Sequence, residues 1–240
     1  MCEAELSRAS HILCGIIICM RKTIISINEY YHVYNRGNNK QNIFYDKRDL
    51  ARFLFLILHF QSPLTFQNLT HPINNYVRSS AFNIPKEKLK KIIKDRYIEL
   101  INFSLMPNHF HLTIKEKQEG GLSNYMHRIQ TSYTKYFNIK YNKSGHLLQG
   151  PYKIVHIKDN EQLLHLSAYI HRNPREIKEW KNKEYKYPWS SYQDCIGENR
   201  WNDLFKHQII TEQFSNPNEY KDFIETSGTK LQLDEKYLLD

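Results

Sequence analysis

The sequence contains little cysteine and no apolar run long enough to cross a membrane. Its four cysteines form no CxxC pair and no zinc-finger spacing: Cys2, Cys14, Cys19 and Cys195. Neither a disulfide framework nor a cysteine-rich metal site is therefore predicted, which fits a reducing, cytoplasmic compartment. The apolar run 12–19 is shorter than the roughly 20 residues of a membrane-spanning helix. It also lacks the flanks and cleavage site of a signal peptide, so we expect residues 1–19 to be an extension outside the fold.

The charge balance is basic. The 240 residues include 34 Lys and Arg against 25 Asp and Glu, which gives a net charge of +9 and a pI of about 9.2. Such a balance favours a polyanionic partner, and nucleic acid before a membrane surface. The 17 tyrosines and 12 phenylalanines would suit unstacked bases. Many soluble proteins are basic without a nucleic-acid partner, and most of these rings belong to a core, so charge and composition give only a direction.

The hydrophobic pattern predicts the order β-α-β-β-α-β, followed by a further helix. Predicted strands cover 30–37, 97–106, 109–116 and 145–157, the last with a bend at Gly150–Pro151. Predicted helices follow the N-cap candidate Asp46, cover 121–141 and 159–173, and recur around 218–226. Pro174 should end the third helix, because the residue before proline is pushed out of the helical region. The segment 62–96, with the basic helix candidate 86–94, is interpreted as an insertion. This order predicts an α+β fold with a ferredoxin-like split β-α-β antiparallel sheet.

Two histidines share one face of the third predicted strand. In "NHFHL", His109 and His111 are two residues apart, so both side chains point to the same side of the sheet while Phe110 points to the other. Two neutral imidazoles at this spacing can bind one divalent metal ion. The pair alone does not specify a metal site, since two histidines at the edge of a mixed core would give the same pattern.

The third helix carries two further candidates. Tyr169 and Asn173 are four residues apart and therefore share a helix face. A tyrosine is a competent nucleophile at phosphorus when a metal ion polarises the phosphate. An amide oxygen from Asn173 beside two imidazoles suits Mg²⁺ or Mn²⁺, with Mn²⁺ better matched to imidazole. The alternative is structural: a tyrosine packed on an amphipathic helix and an asparagine at a helix end before Pro174.

Five segments in chain order resemble one protein family. They are "YHVYNRGNNKQNIFYDKRDLARFL", "MPNHFHL", "GHLLQGPYK", "YIHRNP" and "YPWSSY". Together they are similar to the His-hydrophobe-His single-tyrosine transposases, and most of all to the REP-associated branch, relatives of the insertion sequence 200/605 type. The resemblance extends over roughly Tyr30–Tyr192, with gaps. The segment 62–96 and the chain beyond Tyr192 are additions to the minimal pattern of that family.

The resemblance implies a site and a reaction. His109 and His111 would be the metal pair, Tyr169 the nucleophile, and Asn173 the third ligand, a position that is Gln in mobile transposases and Asn in the REP-associated branch. The implied reaction is attack on a single-stranded DNA phosphodiester, with a 5′-phosphotyrosine link and a released 3′-OH. The implied partner is single-stranded DNA with hairpin structure, without a membrane, and the protein would be a monomer or a homodimer.

The domain organisation and the candidate DNA contacts can also be predicted. Residues 20–195 would form the transposase-like catalytic domain, with the insertion 62–96, and residues 196–240 a C-terminal helical extension. Four basic residues are candidates for DNA contact: Arg36, Arg128, Lys135 and Lys153. Arg36, at the turn that closes the first strand, is a better candidate for a phosphate contact than the basic run 86–94, since a run of charges is usually a solvated face.

Two other functions are compatible with parts of the sequence. "HLTI" at His111 and "HLSA" at His165 each match the motif of two-histidine phosphoesterases, which need both histidines on facing strands. His165, however, lies in a helical pattern. The second alternative is a non-catalytic nucleic-acid-binding module on the same scaffold. Retention of all four candidate catalytic residues favours the enzyme over this module.

Overall fold

The computed structural model describes residues 23–228. The extension predicted at 1–19 and the last part of the segment 196–240 lie outside the described residues. The regular elements follow in chain order: β1 (Tyr30–Arg36), α1 (Lys47–His59), α2 (Thr70–Ser79), α3 (Lys86–Lys94), β2 (Ile98–Met106), β3 (His109–Glu116), α4 (Gly121–Lys140), β4 (Lys153–Ile157), α5 (Asn160–Arg172), α6 (Tyr192–Ile196), α7 (Gln208–Thr211) and α8 (Pro217–Thr226).

The four strands form one antiparallel sheet in the order β2-β3-β1-β4. This order confirms the predicted α+β, ferredoxin-like arrangement. The fourth strand differs from the prediction, because β4 begins only at Lys153 instead of residue 145. Gly150 has a φ of +69°, which turns the chain out of the extended conformation. Before this turn, the chain forms an isolated antiparallel bridge, in which Leu148 pairs with Gly37, the residue that follows β1.

One face of the sheet is apolar and packs against α1 and α4. Phe110 of β3 lies 4.9 Å, between ring centroids, from Phe53 of α1, and Phe53 lies 5.0 Å from Tyr133 of α4. The aromatic contacts bury large apolar areas and hold the two helices on this face. Since side chains alternate along a strand, the residues on either side of Phe110, His109 and His111, project from the opposite face.

The opposite face is polar although it is buried. On this face, five polar side chains of β2, β3 and β1 are fully shielded from solvent: Asn102, Ser104, His111, Thr113 and His32. Helix α5 covers this face. Asp159 caps its first turn by accepting a hydrogen bond from the backbone N–H of Gln162. An all-apolar sheet would pack more easily, so a buried polar face of this kind is typical of a functional site.

The end of α5 differs in one detail from the sequence prediction. The α-helix ends at Arg172, but Asn173 keeps helical dihedral angles (φ −52°, ψ −38°), and the chain continues as a 3-10 turn over Asn173–Glu176. Pro174 therefore ends the α-helix without expelling its predecessor from the helical region. Because of this, Asn173 stays on the same helix face as Tyr169.

The segments that the sequence set apart as an insertion and an extension pack into the same core. Phe82 and Tyr76 from 62–96, and Trp201 from 196–240, belong to one hydrophobic cluster with the sheet. The rings of Tyr76 and Trp201 are 6.0 Å apart, and Arg96 donates to the backbone carbonyl of Asp203 at 3.1 Å. Among residues 23–228, none of the helices combines the length and the apolarity required to traverse a lipid bilayer.

Candidate functional site

Strand β3 and helix α5 match in spacing where they cross. Two residues along a strand cover about 6.8 Å, and four residues along a helix cover about 6.0 Å. His111 lies beside Tyr169, with ring centroids 5.4 Å apart and planes at 87°. One step further, His109 Nε2 lies 2.8 Å from Asn173 Oδ1. The helix thus runs opposite to β3, and the structure brings together all four residues that the sequence singled out.

His109 has an oxygen atom at each ring nitrogen. Its Nδ1 is 2.6 Å from Oδ1 of Asn108, and its Nε2 is 2.8 Å from Oδ1 of Asn173. The side chain is 9% exposed. Burial lowers the pKa of His109 to about 4, against a weaker raising effect of the bond to Asn173 and with Arg36 nearby lowering it further. At neutral pH the imidazole therefore carries one proton and can donate to only one of these oxygens.

One proton cannot satisfy both ring nitrogens of His109, and a bound cation beside the unprotonated nitrogen would account for the second close contact. When Nδ1–H donates to Asn108, the lone pair of His109 Nε2 faces the lone pairs of the Asn173 oxygen, and the two atoms repel unless a cation contacts both. Neighbouring ligands of an octahedral ion with bonds of about 2.1 Å are about 3.0 Å apart, close to the 2.8 Å found here. The alternative is a rotated Asn173 amide that donates to Nε2 and needs no cation. Metal binding distinguishes the two arrangements.

His111 contributes the second nitrogen. It is fully buried, and its Nε2 has no hydrogen-bond partner among the described residues. Its Nδ1 is 2.9 Å from Nε2 of His32 on β1. Burial, with His32 and His109 as further causes, lowers the pKa of His111 well below its usual value, so the imidazole is neutral. A neutral, unpaired ring nitrogen in a buried polar face has the properties of a metal ligand.

A metal site here depends on Asn173. In the described part of the chain, no group of three His, Cys, Asp or Glu side chains could hold a metal ion. His109, His111 and the amide oxygen of Asn173 fit an ion that accepts nitrogen and oxygen ligands, such as Mn²⁺ or Mg²⁺, with the remaining positions available to a phosphate and water.

Tyr169 is 5% exposed and belongs to the hydrophobic cluster. Its helix also carries His165, the histidine of the second phosphoesterase-like motif. That imidazole bonds through Nδ1 to the hydroxyl of Ser227 at 3.1 Å and packs against Phe223 of α8. His165 therefore lies on a helix and contacts the C-terminal segment, which does not give the facing strands that a two-histidine phosphoesterase needs.

The four basic candidates for DNA contact divide between the two sides of the sheet. Arg36 pairs with His109 in the strand register, and its Nε donates to Oε1 of Gln149 at 2.7 Å. Lys153 is exposed and has its ammonium 5.8 Å from the ring centroid of Tyr34. Both border the histidine pair. Arg128 and Lys135, by contrast, are on α4, on the apolar side, so the structure does not bring them to the histidines; their predicted DNA contacts stay predictions.

Two residues of this site were not found from the sequence. Asn108 and His32 each contact the Nδ1 atom of one candidate metal ligand. The period-two pattern of "YYHVYNRG" does put His32, Tyr34 and Arg36 on one strand face. Only the pairing of β1 with β3, however, brings that face beside His111.

Part of the chain is similar to a known protein family. Residues 72–173 match the family described as "Transposase IS200 like". The match includes β2 to α5 and leaves out β1. A solved structure, described as the REP-associated tyrosine transposase bound to a REP hairpin, aligns with a TM-score of 0.47 and 12% identity over 73% of this chain and 84% of that chain. No curated protein matches the sequence.

Proposed function

We propose that this protein is a transposase-like enzyme that cleaves and rejoins single-stranded DNA. The match of residues 72–173 to the IS200-like transposases supports this proposal, together with the resemblance found in the motifs. Tyr169 is the nucleophile, and His109, His111 and Asn173 bind a divalent metal ion. The substrate is a DNA strand next to a hairpin. The substrate class rests on the resemblance and on the basic charge of the chain. The roles of the residues rest on the resemblance and on the geometry that brings the four side chains together.

One observation supports the proposal most strongly. The helix pair Tyr169 and Asn173 meets the strand pair His111 and His109, at 5.4 Å between ring centroids and at 2.8 Å between atoms. If Tyr169 were only a packing residue and Asn173 only a helix end, their position beside two buried histidines would have no functional explanation. A nucleophile beside a metal ion gives all four residues a role.

The proposed step forms one bond and breaks one. The hydroxyl oxygen of Tyr169 attacks the phosphorus of the scissile phosphodiester, and the bond from phosphorus to the 3′ oxygen breaks. The tyrosine proton is lost to solvent, and the leaving oxygen takes up a proton to become a 3′-OH. The 5′ phosphate stays on Tyr169. Attack by a 3′-OH on this phosphotyrosine reverses the step, so rejoining needs neither water nor an external energy source.

The surrounding residues orient the reactants. When bound, a divalent ion would polarise the phosphate and stabilise the leaving oxygen. His109 and His111 keep neutral Nε2 atoms in a buried face, and Asn173 supplies its amide oxygen there. Arg36 and Lys153 border the histidine pair on the same sheet face, where they would bind the phosphates that flank the cleaved bond.

The test is formation of a covalent protein–DNA adduct. A hairpin with a labelled single-stranded flank is incubated with Mn²⁺ or Mg²⁺ and separated on a denaturing gel. We expect an adduct with the natural protein, none with Tyr169→Phe, and at least a 100-fold loss with His109→Ala. Tyr125→Phe is the matched control, because Tyr125 is equally buried but donates its hydroxyl to the backbone carbonyl of Ile57 on the other side of the sheet, at 2.6 Å.

The outcomes separate the competing functions. An adduct with Tyr169→Phe would disprove the nucleophile assignment, and full activity of His109→Ala would disprove the metal site. Hairpin binding without any adduct would support a non-catalytic binding module. Metal-independent hydrolysis of a cyclic phosphate would support a phosphoesterase. Fully double-stranded DNA should be a poor substrate, because the cleaved strand must be unpaired to enter the site.

We further infer that one chain supplies the complete site. His109, His111, Asn173 and Tyr169 meet within a single chain, so no second copy is needed to bring the nucleophile to the histidines. The prediction is that a mixture of His109→Ala and Tyr169→Phe stays inactive. If the two variants restored adduct formation when mixed, the tyrosine would act on the partner's histidines and the active form would be a dimer.

A further inference from the structure

His32 contacts a candidate metal ligand from a neighbouring strand. Its Nε2 lies 2.9 Å from Nδ1 of His111, and the two rings are stacked with centroids 5.1 Å apart and planes at 14°. Tyr34 flanks both rings, at 4.7 Å from His32 and 5.8 Å from His111. Both histidines are fully buried, and neither the motifs nor the family resemblance gives His32 a role.

The contact constrains the proton positions of both rings. A histidine that binds a metal ion through one ring nitrogen does so as a neutral imidazole and carries its single proton on the other nitrogen. A hydrogen bond between Nε2 of His32 and Nδ1 of His111 needs one donor and one acceptor. If His32 donates, the proton of His111 is on Nε2, and this atom cannot bind a metal ion. If His111 donates from Nδ1, its Nε2 keeps the lone pair.

We propose that His32 is a positioning residue that accepts the Nδ1–H of His111 and so keeps Nε2 of His111 free for the metal ion. The inference rests on the proposed metal site. The second ligand has the same arrangement, since the Nδ1 of His109 lies 2.6 Å from the amide oxygen of Asn108. Each Nδ1 thus has an acceptor, and each Nε2 is directed to the ligand side. Metal-binding histidines commonly depend on such a partner for tautomer and ring orientation.

The role of His32 differs from simple packing in two measurable ways. A ring of the same size without an acceptor, as in His32→Phe, should fill the space but release the proton of His111. A glutamine side chain reaches about as far as the Nε2 of histidine and offers an oxygen acceptor, so His32→Gln should retain the effect. Loss of such a partner typically weakens metal binding about 10–100-fold.

The experiment measures tautomer and metal affinity separately. Long-range ¹H–¹⁵N NMR on the metal-free protein, with ¹⁵N-labelled histidine, identifies the protonated nitrogen of His111; its signals are assigned by their loss in His111→Gln. Titration calorimetry with MnCl₂ then gives the metal affinity of each folded variant. His59→Phe is the matched control, because His59 is also buried but its Nδ1 bonds to the carbonyl of Phe55 within α1.

We expect the Nδ1–H tautomer of His111 in the natural protein and in His32→Gln, and its loss in His32→Phe. Mn²⁺ affinity should fall about 10–100-fold in His32→Phe and stay within about threefold in the other two variants. An Nε2–H tautomer of His111 in the natural protein overturns the proposal even if His32→Phe fails to fold. Equal Mn²⁺ affinity of the natural protein and His32→Phe also overturns it. Absence of any Mn²⁺ binding by the natural protein, with the Nδ1–H tautomer present, disproves the metal site and leaves His32 only as the acceptor that sets the tautomer of His111.

Discussion

Replacing Arg128 by methionine removes a guanidinium that binds the backbone of residues 60–64, where the chain leaves α1 and enters the segment 62–96. One nitrogen of Arg128 donates to the backbone carbonyls of Phe60, at 3.3 Å, and of Ser62, and to the hydroxyl of Tyr97 at 3.1 Å. The other donates to the carbonyl of Leu64 at 2.7 Å. The guanidinium also lies 4.7 Å from the ring centroid of Phe60. These bonds give Arg128 a structural role that competes with its predicted DNA contact.

The expected loss of stability follows from the number of these bonds. A hydrogen bond to a charged group contributes about 1.5–3 kcal/mol when buried. Arg128 is only partly buried, so we take about 1 kcal/mol for each of the three carbonyls. Arg128→Met removes all three bonds, so the free energy of unfolding should fall by about 3 kcal/mol. For a chain of this size, that corresponds to a decrease in Tm of about 6–12 °C.

Urea denaturation measures the loss, and fluorescence titration of labelled hairpin DNA at several salt concentrations measures DNA binding. Lys135→Met is the control, because Lys135 is exposed on the same helix; its stability should change by less than about 0.5 kcal/mol. The structural reasoning is refuted if Arg128→Met unfolds like the natural protein while the salt dependence of DNA binding decreases by about one phosphate contact. That result would establish Arg128 as a DNA contact.

Two further predictions concern burial of ionisable groups. Burial lowers the pKa of His59 to about 4 and of His171 to about 3 from the usual 6.5. Below about pH 6.5 the unfolded chain therefore binds more protons than the folded protein. The free energy of unfolding should fall by about 1 kcal/mol for each of the two histidines when the pH is lowered from 7.5 to 5.5. A free energy of unfolding that does not change with pH in urea denaturation would contradict this. Glu116 accepts the backbone N–H groups of Gly121 at 3.0 Å and Leu122 at 2.7 Å at the start of α4. Glu116→Ala should cost about 2–3 kcal/mol and Glu116→Gln less, and equal stability of the two variants would rule out this cap.

Local signals in the sequence were sufficient for most of the framework. Asp46 is the N-cap of α1 and accepts from the N–H groups of Arg48 and Asp49, as its position before an apolar periodic run predicts. The alternation around Phe110 predicted which side chains of β3 share a face. These features could be predicted because caps and periodicity involve residues close in the chain.

Signals that depend on distant residues were missed or misjudged. The bend predicted at Gly150–Pro151 is present, but the chain before it, which was predicted as strand, forms one isolated bridge between Gly37 and Leu148 in place of a continuous strand. Arg128 reads as a surface cation, but its acceptors are carbonyls more than sixty residues earlier in the chain. The acceptor for a guanidinium is a property of the packed structure, so a basic residue in a sequence cannot be assigned to solvent, DNA or the protein itself.

For the candidate site, local patterns in the sequence determined the two short spacings, and only the family resemblance predicted that the two pairs form one site. His109 and His111 share a strand face because strand side chains alternate, and Tyr169 and Asn173 share a helix face because a helix repeats every 3.6 residues. Only the tertiary structure decided that these faces meet, with His111 beside Tyr169 and His109 beside Asn173. It also decided that β1 lies next to β3 and brings His32 to His111. Such contacts depend on how the sheet pairs and how α5 crosses it, and these are set by the burial of the whole chain rather than by any local run of residues.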